Sequence, residues 1–263
     1  MTGGKLPKMT TDVAREVLMG TNRGLRFGRR FLGSLPSSPR CKLCNSPFHM
    51  PFGPLMRLVG KAPWPANPKY CSMCFKNLAQ RRSGAEIECS LLFADVRDST
   101  RLAESMRPAE FRGLMDRFFQ VASKVLIDHD AVVDKFVGDE VIGIFIPALT
   151  GELHASRAID AGRALLTSTG NDTDHPWVRV GAGVNTGVAY VGAVGEGDLV
   201  ELTALGDPVN IAARLASEAA AGEVLVTAAA ATSAHLTDAG LEHRSLALKG
   251  KSEPTEVVVL RPA

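Results

Sequence analysis

Two pairs of cysteines decide what the N-terminal part of this chain can become. Cys41-x-x-Cys44 and Cys71-x-x-Cys74 are separated by 26 residues, and the segment between them is rich in proline and shows no helical or strand period. A stretch that short of apolar repeats does not build a core large enough to hold itself, and such segments are tied by metal or disulfide instead. Each C-x2-C knuckle turns two thiolates toward one point, and two knuckles complete a tetrahedral four-sulfur site suited to structural Zn2+. The same sulfurs suit a rubredoxin-like iron, with an iron–sulfur cluster as a third option. Four protein ligands leave no open position, so the expected role is structural. His49 lies between the knuckles and is a substitute ligand by residue type only. Cys89 falls in an apolar strand pattern and reads as a small buried thiol.

Charge divides the chain in the same place. Residues 1–85 carry 15 Lys and Arg against two acidic residues, Asp12 and Glu16, whereas residues 86–263 carry 15 basic and 26 acidic residues. That asymmetry predicts modules with different electrostatic roles. The basic part can meet an anionic partner or the acidic remainder of its own chain; an unidentified regulator is expected there, and nucleic acid is not. The opening residues interrupt their apolar runs with charges, unlike a secretory signal. No stretch reaches the ~20 apolar residues of a membrane-spanning helix. A cytoplasmic location is therefore expected, and a reducing compartment fits free or metal-bound cysteines.

Three segments follow. Residues 1–40 read as a short helix, capped at Thr10-Thr11-Asp12 and apolar at Val13, Val17 and Leu18, followed by a basic connector and the linker Gly33–Arg40. Residues 41–85 are the four-cysteine module and a connector. Residues 86–263 alternate strands and helices. "ECSLLFAD" is an apolar strand ending at Asp95. Phe111, Leu114, Phe118, Val121 and Val125 recur at helical spacing behind Pro108. "AVVDKFVGDEVIGIFI" is a hairpin turning at Gly138-Asp139. A second amphipathic helix precedes "WVRVGAGVNTGVAYVGAVG", which reads as two glycine-broken strands. "GDPVNIAARLAS" opens a helix with Asp207 as cap and Pro208 in its first turn. The order β-α-β-β-α-β with further strands predicts an α+β, ferredoxin-like sheet with helices packed on one face.

The polar residues in this pattern sit where apolar ones are expected. Asp95 ends a central strand and Asp139 occupies the neighbouring turn, a placement that brings two hard oxygen ligands within reach of shared divalent cations. Taken alone, Asp139 reads more simply as a turn residue and Asp95 as a loop cap. Asp134 and Lys135 face opposite sides of a strand, so one of them meets a core, a partner or a ligand. Asp134 and Glu140 read as surface carboxylates. Asn210 and Arg214 are four apart on one helix and share a face suited to a phosphate. Arg179 and Lys249 are isolated charges beside glycines.

In this order the stretches "LLFADVRDSTRLAE", "VDKFVGDEVIGIF", "VRVGAGVNTGVAYVGAVG", "LTALGDPVNIAARLAS" and "LALKGKSEP" resemble the class III nucleotidyl cyclase catalytic domain, the adenylate and guanylate cyclase family. The resemblance implies a homodimer with active sites at its interface. It implies that Asp95 and Asp139 hold two Mg2+ or Mn2+ ions and that Arg179 and Lys249 support the substrate phosphates. Asn210 would orient the ribose and Arg214 would stabilise charge at the α-phosphate, both from the partner subunit. Lys135 and Thr203 would read the base. An ammonium donates to adenine N1 and a threonine hydroxyl accepts from N6, whereas guanine N1–H would leave the lysine unpaired, so ATP is the expected substrate. The family's Gly-Phe-Thr after the first aspartate is replaced by Asp98-Ser99-Thr100, with Asp98 expected to cap the next helix. Other readings are a cyclase of GTP or a pyrimidine nucleotide, a diguanylate cyclase of related fold, and a nucleotide-sensing regulatory or nucleic-acid-binding protein.

Overall fold

The computed structural model describes residues 10–35, 39–65, 67–74, 76, 84–196, 199–237 and 239–262. Parts of the expected linker (36–38) and connector (77–83) lie outside them. The described residues form two compact units. One gathers the chain up to Ile87 with residues 147–151 and 190–204; the other comprises Glu88–Ile146, Glu152–Ala189 and residues 205–263.

In the first unit, α1 (Thr11–Leu18) buries Ala14 and Leu18, and its N-cap Thr10 makes no side-chain cap bond. The stretch read as a basic connector contains a second helix, α2 (Arg23–Gly33), which starts where Asn22 Oδ1 accepts from Leu25 N at 3.0 Å. Its apolar residues gave no burial pattern to read because Phe27 and Phe31 face outward, 75% and 63% exposed, and only Leu32 is buried. Arg40 fastens the end of α2 to the cysteine loop, donating to Leu32 O at 2.8 Å and Asn45 O at 3.1 Å. A short helix α3 (Gly53–Leu58) and the antiparallel strands β1 (Pro63–Trp64) and β2 (Asn67–Cys71) complete the cysteine segment.

The principal sheet has eight strands: β3 (Gly84–Val96), β4 (Val132–Val137), β5 (Glu140–Phe145), β6 (Val180–Glu196), β7 (Leu199–Leu205), β8 (Val224–Thr227), β9 (Glu242–Leu246) and β10 (Thr255–Leu260). Their order is β4-β5-β3-β6-β8-β10-β9, with β7 paired to β6; β6 runs parallel to β8, and β3 antiparallel to β5. Residues 84–87 of β3 and 190–196 of β6 belong to the first unit. The glycine-rich segment is one continuous strand, not two, because Gly181, Gly183 and Gly187 sit against residues 208–220 rather than in turns.

Between the strands come α4 (Ser99–Ser105), α5 (Pro108–Asp128), α6 (Pro147–Thr150), α7 (His154–Ser168), α8 (Asp207–Glu218) and α9 (Ala228–Ser233), giving the expected βαββαβ order in β3-α5-β4-β5-α7-β6. Helix α5 buries Met115, Phe118, Ala122, Val125 and Leu126, and the remaining residues of its sequence period, Phe111, Leu114 and Val121, pack partly buried against the same core. Together with α7 and α9 it covers one side of the sheet, where Val224, Val226, Val258 and Leu260 point. Leu225, Val257 and Val259 alternate to the other side and pack with Leu215 of α8 and its C-cap Ala219. The one-sided packing expected of the helices thus describes α5, α7 and α9, while α8 lies on the reverse face. Each fully buried leucine or phenylalanine in these layers contributes about 1.5–3 kcal/mol. Ser90, at 0% exposure in β3, is satisfied by His154 Nδ1 at 2.9 Å and Thr186 Oγ1 at 2.6 Å, and burial lowers the pKa of His154.

Helix α8 reaches the sheet unusually closely. A Cβ at Gly183 would lie 2.5 Å from Ala216 N and 2.6 Å from Ala212 O, and one at Gly181 2.7 Å from Ala219 O. Only hydrogen fits there. Gly183→Ala is expected to displace α8 and lower stability by about 1–3 kcal/mol, measured as the shift in the urea unfolding midpoint.

Candidate active site

Residues at the end of β3 and in the β4–β5 turn converge in the second unit. The β3–β5 register sets Asp95 opposite Glu140. Gly138, at φ 63, leads the two-residue turn and places Asp139 beside that pair. Asp139 O accepts a bond from Val96 N at 3.4 Å, which sets the Asp139 carboxyl beside that of Asp95. Burial, then the neighbouring Asp139 carboxyl, push Asp95 up to about 7; burial and the charges of Asp95 and Asp139 push Glu140 up to about 7. Carboxylates so crowded must keep a proton or share a cation. This oxygen-only donor set fits a hard divalent ion such as Mg2+ or Mn2+.

Arg97 is the nearest counter-ion. Its Nη2 contacts Asp95 Oδ2, and its Nη1 reaches the carbonyls of Ser217 and Ala219 at 2.8 and 3.3 Å. Asp98 stands at the N-cap position of α4 in a left-handed conformation, φ 58, and makes no cap bond; its carboxylate instead lies 3.7 Å from Arg179 Nη1. The expected cap is absent because the left-handed backbone turns the side chain toward Arg179. Asp95, Arg97, Asp98, Asp139 and Arg179 line a pocket of about 490 Å3, together with Ser99 and Thr100.

The other sequence-derived residues lie elsewhere on the scaffold. Pairing of Val133 with Gly143 and of Phe136 with Val141 leaves an extra residue in β4, a bulge at Asp134-Lys135. Through it the Asp134 side chain is buried, 4% exposed, with Lys135 Nζ 4.0 Å from its Oδ1. The surface reading of Asp134 and Glu140 is thus corrected: the bulge turns the Asp134 side chain inward, and the register leaves Glu140 half-buried beside Asp95. Thr203 is buried in β7, in the first unit. Asn210 is exposed on α8 and Arg214 half-buried. Gly250, at φ 78, lets the Lys249–Lys251 turn lie against Arg214: a Cβ there would be 3.4 Å from Arg214 Nη2. Asp207 is the first residue of α8 rather than its cap, which is Gly206, and its carboxylate pairs with Lys251 at 2.5 Å. Arg97 and Asn185 escaped the sequence reading. Arg97 stands in the turn after β3 and Asn185 within β6, and only the fold shows that Asn185 Nδ2 donates to Pro208 O at 3.0 Å and its Oδ1 accepts from Thr227 at 2.9 Å.

In the first unit, ligand atoms of Cys41, Cys44, Cys71 and Cys74 all lie within 4.8 Å of one another. Cys71 N donates to Cys41 Sγ at 3.3 Å and Cys74 N to Cys71 Sγ at 3.4 Å, bonds that favour thiolate. Hydrogen bonds from Cys44 and the other thiols pull Cys41 down, and those with Cys41 and the rest push Cys74 up. All are free of disulfides, and the soft donor set fits Zn2+; His49 is outside the group. Cys89 is buried, and burial pushes its thiol up to about 12.

Residues 83–261 match the family described as adenylate and guanylate cyclase catalytic domain. The chain is 31% identical over 134 residues to "Adenylate cyclase 1" of Rhizobium meliloti, covering 49% of this chain and 20% of that protein. The fold matches the adenylyl cyclase CyaB from P. aeruginosa with TM-score 0.60 and 25% identity, covering 68% of this chain and 97% of that one. It also matches the guanylyl cyclase Cya2 with TM-score 0.61 and 23% identity, covering 67% and 92%. The chain belongs to the adenylate and guanylate cyclase family, the class III nucleotidyl cyclases. Among its described residues no helix is long and apolar enough to cross a membrane.

Two predictions follow from these sites. A carboxyl raised above its unfolded value stabilises the fold below pH ~4 and loses that contribution as pH rises through about 7. The metal-free protein should therefore lose thermal stability from pH 5 to 8 more steeply than its Asp95→Asn variant, and Mg2+ should reduce the difference. At the other site, elemental analysis should find one zinc per chain, lost in Cys44→Ser together with the order of residues 41–74 in amide exchange.

Proposed function

We propose that this chain is an adenylate cyclase that converts ATP to 3′,5′-cyclic AMP and pyrophosphate, as a homodimer, with residues 86–263 as its catalytic domain. The observation that carries the reading is the convergence of Asp95, Asp139 and Arg179 on one pocket in a chain of this family. Asp95 and Asp139 would hold two Mg2+ or Mn2+ ions, which when bound neutralise the triphosphate and acidify the ribose 3′-OH. Arg179 faces the phosphates from the same subunit. Asn210 and Arg214, exposed and half-buried on α8, serve the partner's site, Asn210 orienting the ribose and Arg214 meeting the charge that grows at the α-phosphate. Lys249, on the turn against Arg214, addresses the terminal phosphates.

The ribose O3′ forms a bond to the α-phosphorus as the bond to the β-phosphate oxygen breaks; pyrophosphate leaves and the hydroxyl proton passes to solvent. Positioning and charge carry this step, with no covalent enzyme intermediate. Preference for ATP rests on Lys135 and Thr203, whose donor and acceptor match adenine, and agrees with the adenylate cyclase named among the relatives. The zinc-tied, basic N-terminal segment is read as the part a regulator addresses.

The test is purified protein with Mn2+ and each of ATP, GTP, CTP and UTP, with products identified by mass. Cyclic AMP should predominate. Asp139→Ala and Arg214→Ala should each lower the rate at least about 100-fold, and mixing the two variants should restore part of it through one intact hybrid site. Cyclic GMP as main product would overturn the base assignment; no recovery from folded, mixed variants would overturn the shared site.

A further inference from the structure

Helix α8 is fastened to the sheet at both ends by side chains that the proposed reaction does not use. At its start Asn185 donates to Pro208 O at 3.0 Å. At its end Arg97 donates from Nη1 to Ser217 O at 2.8 Å and to Ala219 O at 3.3 Å. The same guanidinium contacts Asp95 through Nη2. It is 17% exposed, its backbone N–H is fixed to Arg179 O at 2.8 Å, and its Nε–H is buried with no partner among the described residues. Arg97 therefore divides its charge between a carboxylate of the pocket and the carbonyl end of α8, where a cation is favoured.

We propose that Arg97 is a positioning residue that couples metal loading at Asp95 to the placement of α8. When Asp95 engages a divalent cation, the guanidinium loses its counter-ion and meets a like charge. What remains for it are the α8 carbonyls, so the helix end is held more firmly. This rests on the reading that Asp95 is a metal ligand and that α8 carries Asn210 and Arg214 to the partner's site. Under it, loading one site orders the donors that serve the other, and by reciprocity docking of α8 strengthens metal binding.

The test pairs Mn2+ titration by electron paramagnetic resonance with amide exchange of α8 in the full chain. In the wild type, Mn2+ should slow exchange across α8 at least about fivefold. Arg97→Gln should still bind Mn2+, within about threefold of wild type, and lose that slowing. Equal slowing in the variant, or none in the wild type despite bound Mn2+, overturns the coupling alone. Asp95→Asn that binds Mn2+ like wild type overturns the metal-site reading beneath it. If Arg97→Gln does not fold, Arg97→Lys keeps the charge but not the fork, and it too should lose most of the slowing; a full response in it overturns the proposal.

Discussion

The antiparallel pairing of β3 with β5 sets Asp95 opposite Glu140, with Asp139 next along, so three carboxylates meet at one end of the sheet. Like charges directly across a ladder destabilise it. The pairing survives because Leu91 to Ala94 face Ile144 to Val141 along an apolar run, and a slip of one residue would turn Leu92 and Ala94 out of the helix-covered core. The core thus holds the charges together against their repulsion. What relieves that repulsion is local: protonation, Arg97, or a divalent ion.

The second constraint is steric. The glycines at 181 and 183 lie on one face of β6 and let the backbone of α8 approach where any side chain would collide. That approach explains why α8 occupies the face opposite α5, α7 and α9, and why Asn210 and Arg214 are carried apart from the elements that hold Asp95 and Asp139. A composition that looks like weak strand propensity is the mark of close packing between a strand and a helix.

Much of the site was legible because the chemistry contradicted the pattern around it. Asp95 at the end of an apolar strand, Asp139 after a turn glycine and four cysteines in paired knuckles each break a local rule. What stayed hidden was non-local. The bulge at Asp134-Lys135 depends on the partner strand, and it buries a carboxylate that alternation alone leaves on the surface. Arg97 acquires its significance only through the carbonyls of Ser217 and Ala219, about 120 residues on. Helix α2 turns Phe27 and Phe31 outward, so the period that normally announces a helix points away from the core.

Asp98 shows what one departure from the family pattern does. It adopts a left-handed backbone that glycine takes without penalty and that a carboxylate-bearing residue tolerates at a cost of about 1–2 kcal/mol. In return it gives Arg179 an anion of its own. If Arg179 serves phosphates as proposed, an incoming phosphate would replace an existing partner rather than meet a bare cation, and its advantage would be a difference between two anions. A single negative charge gains little from that exchange, and a polyphosphate gains more. On that reading the turn would be an internal competitor, screening ligands by how much charge they bring.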